Sequence, residues 1–383
     1  MRVVVCPDKF AGTLSAVEAA AAIADGWLRV RTADEVRRIP LADGGPGFVE
    51  VLHANLGGAV HDVAVADPLG RPITAHWLQV GDTAYIEAAQ ANGLALLAPE
   101  ERNPSETSSA GVGQLIDAAR ECSHIVVGLG GSGTNDGGRG AVEALDGLQV
   151  PGLLLATDVD SPLLGPQGAT YGFAPQKGAS PEDLPALEER MAAWAAQAPD
   201  LAESPGAGAA GGLGFGLMLL GGRRVSGIDL VAQAVGLRPA CAVADVVITG
   251  EGRFDWQSLH GKVVSGVREV APQMLVLAGQ VETEEVAAHS LFEFAGEAAF
   301  RDPAGSLAGL AQEVAQSWSA TGRRTASTAP RPPSFVPDPP SPTTMGRGQA
   351  SSMSCPTPAD VARHGSRSCA ASSASPFACA ASR

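Results

Sequence analysis

Short apolar runs that stop at glycine or aspartate alternate with helical stretches through the first 320 residues of this 383-residue chain. Buried-strand patterns occur at residues 3–5, 125–127, 153–156, 246–249 and 275–278. Helical patterns occur at residues 16–30, 113–122, 184–196, 228–235 and 265–270. Ser15 and Glu18 form a capping-box pattern at the start of the first helix. The alternation of strand and helix predicts an α/β fold with a mainly parallel sheet.

Residues 61–89 depart from this alternation. Their apolar and aromatic residues surround two turn sequences, Asp67-Pro68-Leu69-Gly70 and Gly81-Asp82. Such spacing predicts a small antiparallel meander. The chain also exceeds the roughly 250–300 residues at which single cores stop growing, so we expect two α/β units with a cleft between them.

The composition changes near Thr321. Residues 321–383 contain no Ile, Leu, Lys or Glu and are rich in Pro and Ser. A segment with so few large aliphatic residues cannot offset the entropy lost on ordering, so it is predicted to be disordered. We interpret it as a possible frameshift artefact in preference to a regulatory extension.

The net charge of −15 disfavours nucleic acid and anionic membranes as partners, because both require a cationic surface. The first apolar run ends at Pro7, too early for a signal peptide. The six cysteines show neither metal-ligand spacing nor a disulfide framework. We expect a cytoplasmic protein that binds small molecules; its oligomeric state is left open.

A glycine-rich segment at residues 128–138 follows one of the predicted strands. Successive glycines allow backbone N–H groups to converge on an anion, and hydroxyl and amide side chains add donors. The candidate anion-binding residues are Gly130, Gly131, Ser132, Gly133, Thr134, Asn135 and Asp136. A dinucleotide fold and a purely structural turn are the alternatives. The dinucleotide pattern is weak, because residues 206–211 match it as well.

Lysine is rare in this chain, with three residues against 23 arginines. Lys9, Lys177 and Lys262 all lie beside turn-forming or glycine-rich sequence. A lysine kept in such a loop is a candidate point charge for a phosphate group. The alternative is that they are ordinary surface lysines.

Acidic residues in glycine-bounded loops form a second candidate group. They are Asp43, Asp67, Asp136, Asp158, Asp160, Glu251 and Asp255. Several follow predicted strands, where open α/β sheets bind their ligands. Carboxylates at these positions are suited to binding a Mg²⁺ ion or to accepting the proton of a hydroxyl group. For any single one of them, capping a helix or bracing a turn is an equally good explanation.

Several sequence segments, in this order, resemble the bacterial glycerate kinase family. They are Asp8 to Ala16, Ala42-Asp43-Gly44-Gly45, Asp67 to Arg71, Gly128 to Gly138, Asp158 to Gly165, Phe173 to Ala179, Gly206 to Gly216 and Thr249 to Asp255. The resemblance implies a discontinuous flavodoxin-like domain at residues 1–45 and 230–320. It also implies an inserted mixed α/β domain at residues 46–229.

The same resemblance implies ATP-dependent, Mg²⁺-assisted phosphorylation of D-glycerate, with 2-phosphoglycerate as the favoured product. The predicted catalytic residues are Asp8, Lys9, Asp43, Asp158 and Lys177, with Asp43 and Asp158 also as metal ligands. The predicted ATP-binding residues are the seven of the glycine-rich segment together with Glu251 and Arg253. The guanidinium of Arg253 is a candidate partner for the glycerate carboxylate as well.

Five positions depart from the family pattern: Ala11 replaces a usual lysine, Pro46 a usual glutamate, Phe48 a usual threonine, Ser161 a usual asparagine and Val264 a usual proline. Ala11 and Pro46 lie inside the loops that are predicted to be functional. These changes leave a second hypothesis open, a catalytically impaired paralogue that binds glycerate or nucleotide without turnover. A nicotinamide-dependent hydroxy-acid dehydrogenase is the third.

Overall fold

The computed structural model describes residues 1–10, 12–259, 263–283 and 285–318, all within one compact unit. Ala11, Lys262 and the predicted disordered tail at residues 321–383 lie outside the described residues.

One sheet is parallel throughout the described residues. Its strands, in spatial order, are β11 (Ala288–Ser290), β10 (Leu275–Val281), β9 (Val246–Phe254), β1 (Arg2–Val5) and β2 (Glu35–Arg38). Residues of β1, β9 and β10 alternate between two buried layers, one on each face of the sheet. Both faces are therefore covered, as expected of a parallel α/β sheet.

The second sheet combines both strand directions. Its strands, in spatial order, are β3 (Ala59–Ala66), β4 (Pro72–Val80), β5 (Thr83–Glu87), β6 (His124–Gly128), β7 (Leu153–Ala156) and β8 (Arg223–Val225). β3, β4 and β5 pair antiparallel, whereas β5 to β8 pair parallel. The predicted meander and the α/β class are both confirmed. Each sheet takes its strands from one predicted domain, and the division into domains itself stays a prediction.

Helices connect and cover the strands. They are α1 (Ala16–Leu28), α2 (Phe48–Leu56), α3 (Ala89–Asn92), α4 (Ala110–Ala118), α5 (Arg139–Ala144), α6 (Ala169–Phe173), α7 (Leu184–Ala195), α8 (Pro199–Ala202), α9 (Ala209–Leu219), α10 (Gly227–Ala234), α11 (Leu237–Ala242), α12 (Val263–Val270), α13 (Leu291–Ala295), α14 (Ala298–Arg301) and α15 (Pro303–Ser317). The sequence analysis missed β2, because an edge strand with exposed charges lacks an apolar run. It also missed α2 and α15.

The predicted capping box of α1 is present. The Ser15 hydroxyl accepts the N–H of Glu18 at 3.2 Å, and the Glu18 carboxylate accepts the N–H of Ser15 at 2.9 Å. This reciprocal pair satisfies two N–H groups that the helix itself leaves unbonded. It fixes the start of α1 directly after the loop that carries Asp8 and Lys9.

The glycine-rich stretch at residues 204–222 forms buried α9 and the turns around it. Ala210, Gly211 and Gly212 have positive φ values inside this element. A Cβ on Gly211 would collide with the carbonyl of Thr134, so glycine is required for this approach. Among the described residues, no helix combines the length and the hydrophobicity needed to span a bilayer.

Helices α1 and α15 pack closely at Gly26. A Cβ at this position would collide with the backbone carbonyl of Ala308. Gly26→Ala should therefore lower the free energy of unfolding by about 1–3 kcal/mol, although alanine favours helix, because the two helices must separate. Urea unfolding measures this change. Gly172→Ala, at an exposed helical position where a Cβ would make only ordinary van der Waals contact, is the matched control and should be neutral or stabilising by up to about 1 kcal/mol.

Candidate active site

Loops from the two sheets meet through backbone contacts. The Asp43-Gly44-Gly45 loop follows β2, and the glycine-rich loop, residues 128–138, follows β6. The carbonyl of Gly44 accepts the N–H of Gly130 at 3.1 Å. A Cβ on Gly130 would collide with Cα of Gly45, so glycine at Gly130 allows this contact. The contact brings the charged loop of one sheet against the glycine-rich loop of the other.

A lysine and two aspartates form the charged centre of this contact. The Lys9 ammonium lies 3.6 Å from the Asp8 carboxylate and 3.8 Å from the Asp43 carboxylate. Asp43 also accepts the N–H of Gly45 at 3.0 Å, which fixes the carboxylate against the loop. Asp8, Lys9 and Asp43, predicted from three separate features of the sequence, therefore lie together.

Burial controls the protonation of this cluster. It raises the pKa of Asp8 to about 6, although the Lys9 ammonium opposes the shift. Burial alone would lower the pKa of Lys9, but the carboxylates of Asp43 and Asp8 outweigh it, so the pKa of Lys9 is raised. Lys9 is therefore a fixed positive charge, and Asp8 titrates close to neutrality.

Asp158 lies nearby, and its carboxylate bonds to the start of a helix. Its two carboxylate oxygens accept the N–H groups of Gly227 at 3.0 Å and Ile228 at 3.2 Å, at the start of α10. Burial raises its pKa, and the Asp43 carboxylate adds to the increase. With both oxygens bonded to the helix start, Asp158 anchors α10 to the site, and its service as a metal ligand stays a prediction.

Of the two predicted metal ligands, Asp43 has the more accessible carboxylate, because both oxygens of Asp158 are bonded to backbone N–H groups. No cluster of three or more His, Cys, Asp or Glu side chains suited to a metal occurs in the part of the chain that the structure describes. Mg²⁺ in phosphoryl-transfer sites usually takes one or two carboxylates and completes its shell with phosphate oxygens and water. The Asp43 side chain is about one-third exposed, so a carboxylate oxygen is accessible beside Lys9.

Lys177 supports the glycine-rich loop from within the protein. Its side chain is 2% exposed, and the ammonium donates to the Ser132 hydroxyl at 2.9 Å and the Thr134 carbonyl at 2.7 Å. Burial lowers its pKa to about 7 against the opposing charge of Asp136. Lys177 therefore holds the loop in shape, and the charge it carries depends on pH.

Some N–H groups of the loop are already bonded within the protein. The N–H of Gly130 binds the Gly44 carbonyl, and the N–H of Gly133 binds the Asn92 carbonyl at 2.7 Å. Thr134 is completely buried. The predicted phosphate contact therefore stays a prediction for Gly131 and Ser132, which line a cavity. The helix after this loop, α5, begins at Arg139, so the segment differs from a dinucleotide turn that opens directly into a helix.

Two cavities adjoin the loop contact. The lysine cavity, about 340 Å³, is lined by Asp8, Lys9, Thr13, Ser15 and Glu50 among others. The loop cavity, about 320 Å³, is lined by Gly130, Gly131, Ser132, Phe173, Gln176 and Lys177 among others. Pro46 lines the lysine cavity and lies directly against Gly131, so its ring stands where the cavities adjoin.

Asp136 braces the loop from inside. Its carboxylate accepts both the N–H and the hydroxyl of Ser109 at 2.8 Å, and the N–H groups of Gly138 and Gly140 at 3.1 Å. Neighbouring Asn135 is 2% exposed and donates to the Thr170 hydroxyl at 3.3 Å. Neither residue lines the lysine cavity or the loop cavity. Their predicted contact with ATP stays a prediction.

Glu251 and Arg253 lie in the second half of β9. The Arg253 side chain is 62% exposed and donates to the Glu282 carboxylate at 2.7 Å. Glu251 is buried and pairs in register with Ala278 of β10. Neither residue lines the two cavities, so their contacts with ATP or glycerate stay predictions.

Sequence analysis missed Glu87. This residue ends β5, and its carboxylate accepts the N–H of Gly47 at 3.0 Å and of Val49 at 3.4 Å at the start of α2. Burial raises its pKa, and Lys9 opposes the shift. Glu87 lies at a strand end, like several of the acidic residues that the sequence analysis selected as candidates. It was missed because no glycine flanks it.

The comparisons with known proteins agree on one family. A model of the glycerate kinase family matches residues 3–152 and 148–328. A glycerate kinase of Bacillus subtilis is 38% identical over 76% of this chain and 87% of its own length. A glycerate 2-kinase of Escherichia coli is 39% identical over 71% and 82%. A solved structure described as a putative glycerate kinase 2 from Salmonella typhimurium LT2 is 35% identical, with a TM-score of 0.70, over 82% of this chain and 97% of that one.

The buried ammonium of Lys177 predicts a pH-dependent stability. Its pKa in the folded state, about 7, lies below that of an unfolded lysine, so the unfolded chain binds more protons between pH 7 and 10. Stability should therefore rise with pH over this range, by up to about 1.4 kcal/mol per pH unit from this group. Urea unfolding of wild type and Lys177→Met at pH 7 to 9.5 measures the difference in slope. Parallel curves for the two proteins would contradict the assignment.

Proposed function

Since the chain belongs to the glycerate kinase family, we propose that it transfers the γ-phosphoryl group of ATP to D-glycerate, with 2-phosphoglycerate as the favoured product. The observation that carries the proposal is the contact between Gly44-Gly45 and Gly130, which holds Lys9 and Asp43 beside the glycine-rich loop. Phosphoryl transfer needs little covalent help from the protein. It depends on positioning and on neutralising charge.

The polyphosphate binds in the loop cavity in this proposal. Gly131 and Ser132 line this cavity, and Gly131, with a φ of 73°, presents its backbone to a phosphate oxygen with no side chain of its own. Lys177 holds Ser132 and Thr134 in place from behind, so the loop needs no rearrangement when the phosphate arrives. A loop fixed in advance stabilises charge in the transition state without a reorganisation cost.

Glycerate binds in the lysine cavity. The Lys9 ammonium lines this cavity and neutralises the negative charge of the substrate and of the transferred phosphoryl group. The Thr13 and Ser15 hydroxyls of the same cavity are suited to hydrogen bonds with the substrate oxygens. The cavity volume of about 340 Å³ accommodates a three-carbon acid with water.

Asp43 accepts the proton of the attacking hydroxyl or holds the metal ion, and Asp8 keeps Lys9 oriented between the two carboxylates. Asp43 offers an accessible carboxylate oxygen, the ligand type that Mg²⁺ prefers. The ion supplies neutralisation of the phosphate oxygens when it is bound. Asp158 contributes by anchoring α10 through its bonds to Gly227 and Ile228.

Removing the proposed catalytic charges tests the function. Lys9→Ala and Asp43→Ala should each lower kcat/KM by about 10²- to 10³-fold, because each removes a preorganised charge from the transition state. ADP release from Mg-ATP and D-glycerate gives the rate, and phosphorus NMR identifies the phosphorylated hydroxyl. Arg120→Gln is the control, since this exposed residue pairs with Asp117 on the surface.

Two results would contradict the proposal. Wild-type rates in both variants would remove Lys9 and Asp43 from the mechanism. Binding of glycerate or nucleotide to the wild-type protein without ADP release would favour the catalytically impaired paralogue.

The same cluster predicts a conflict between stability and activity at Asp8. Its folded-state pKa of about 6 exceeds that of an unfolded aspartate, so the charged form destabilises the fold and stability falls from pH 4 to 6. Asp8→Asn should be more stable than wild type by about 1–3 kcal/mol at pH 7.5, with the gain vanishing near pH 4. It should also lose most kinase activity, because Lys9 loses a partner. Denaturant unfolding at both pH values and the ADP assay check this; a variant less stable than wild type at pH 7.5 would contradict it.

A further inference from the structure

Glu87 lies at the junction between β5 and the glycine-rich loop. It pairs in register with Gly128, where β6 ends and the loop begins, and the N–H of Ala88 binds the Gly128 carbonyl at 3.1 Å. A Cβ on Gly128 would collide with the carbonyl of Gly44 and crowd the ring of Phe48. The backbone of Glu87 is therefore fixed at the point where the glycine-rich loop meets the turn before α2.

The start of α2 takes its cap from Glu87. Gly47, the residue before the helix, has no side chain to accept the unbonded N–H groups of the first turn. One carboxylate oxygen of Glu87 accepts the N–H of Gly47 at 3.0 Å and that of Val49 at 3.4 Å. The helix dipole favours a negative charge at this end of a helix. The start of α2 is therefore held by a residue 40 positions further along the chain.

Hydrogen bonds connect this cap to Asp43. The N–H of Phe48, which lies between the two amides that Glu87 binds, donates to the Gly45 carbonyl at 3.1 Å. The N–H of Gly45 in turn donates to the Asp43 carboxylate at 3.0 Å. Because this turn leads directly into α2, fixing the start of the helix also fixes the turn that orients Asp43.

The link between Glu87 and the site is indirect. Glu87 is 8% exposed, and it lines neither the lysine cavity nor the loop cavity. Burial lowers the pKa of Lys9, and nearby carboxylates raise it. Among these carboxylates, Glu87 has a smaller effect than Asp43 or Asp8. The hydrogen bonds to the backbone are therefore the main connection between Glu87 and the site.

We propose that Glu87 is a positioning residue for phosphoryl transfer, which holds the turn before α2 so that the Asp43 carboxylate stays beside Lys9 and the glycine-rich loop. This inference rests on the proposed function. Glu87 itself contacts neither substrate, and it acts through its hydrogen bonds to the start of α2. A catalytic group displaced by about 1 Å can lose about 100-fold in rate. Loss of Glu87 therefore lowers kcat more than it changes substrate binding.

Three variants of the full chain separate the hydrogen bonds from the charge. Glu87→Ala removes both, Glu87→Asp keeps the charge but is one methylene shorter, and Glu87→Gln keeps the length and an acceptor oxygen without the charge. With Mg-ATP and D-glycerate, Glu87→Ala and Glu87→Asp should lower kcat about 10- to 100-fold, while each KM changes less than about threefold. Glu87→Gln should keep kcat within about threefold of wild type.

Asp302 provides a matched control. Its carboxylate caps α15 by accepting the N–H of Gly305 at 2.9 Å, and it lines neither cavity. Asp302→Ala should lower stability in urea, as the loss of a helix cap does, without changing kcat or KM. Both Asp302→Ala and Glu87→Ala lose a cap, so a fall in kcat that is confined to Glu87→Ala reports positioning.

The Gly45 amide gives a readout that requires no turnover. Its N–H binds the Asp43 carboxylate, and its exchange with deuterium is followed by NMR on glycine-labelled protein. Exchange should be at least about tenfold faster in Glu87→Ala than in wild type, Glu87→Gln or Asp302→Ala. If wild type releases no ADP, the proposed function fails, whereas this exchange rate still tests whether Glu87 holds the turn.

Three results would overturn the positioning role. One is an exchange rate at Gly45 that Glu87→Ala leaves unchanged. Another is a wild-type kcat in Glu87→Ala. The third is a loss of kcat in Glu87→Gln as large as that in Glu87→Ala, because Glu87→Gln keeps the acceptor and removes only the charge.

Discussion

The candidate site depends on one backbone contact, in which the Gly44-Gly45 turn presses against Gly128 and Gly130. A Cβ on Gly128 or Gly130 would enter the backbone of the opposing turn, so glycine is required on that side of the contact. The Gly130 N–H closes the contact by binding the Gly44 carbonyl. Because the two turns end strands of different sheets, this contact brings the charges of one sheet to the loop of the other.

Burial of charge is the second constraint, and it couples function to stability. Asp8 and Lys177 are held where their charged forms are disfavoured, one raised in pKa to about 6 and the other lowered to about 7. Each is retained beside a partner that fixes its geometry: Lys9 beside Asp8, and Ser132 beside Lys177. Groups with such shifted pKa values are common at functional sites, where the protein holds a charge in the position that the chemistry needs. Holding the charge there lowers the stability of the resting protein.

Much of the fold was predictable from local patterns. The capping box at Ser15, the meander at residues 61–89 and the strand at residues 153–156 each have a signal within a few residues. The co-location of Asp8, Lys9 and Asp43 was predictable because carboxyl ends of parallel strands meet at one edge of a sheet. The hydrogen bonds of Asp136 and Lys177 within the protein were not predictable, since a braced carboxylate and a buried ammonium look like any loop charge until their donors and acceptors are known.

The sequence by itself determined the α/β class, the family resemblance and the loops that carry the chemistry, because glycine spacing, periodicity and strand ends are local properties. Only the tertiary structure decided which charges face one another. It placed Arg253 on the surface beside Glu282 and bonded the Glu87 carboxylate to backbone N–H groups at the start of α2. It also turned Asp136 inward, where its carboxylate holds the glycine-rich loop. Whether a carboxylate binds a ligand or a backbone N–H depends on what packs against it from distant parts of the chain, and that is absent from any local pattern.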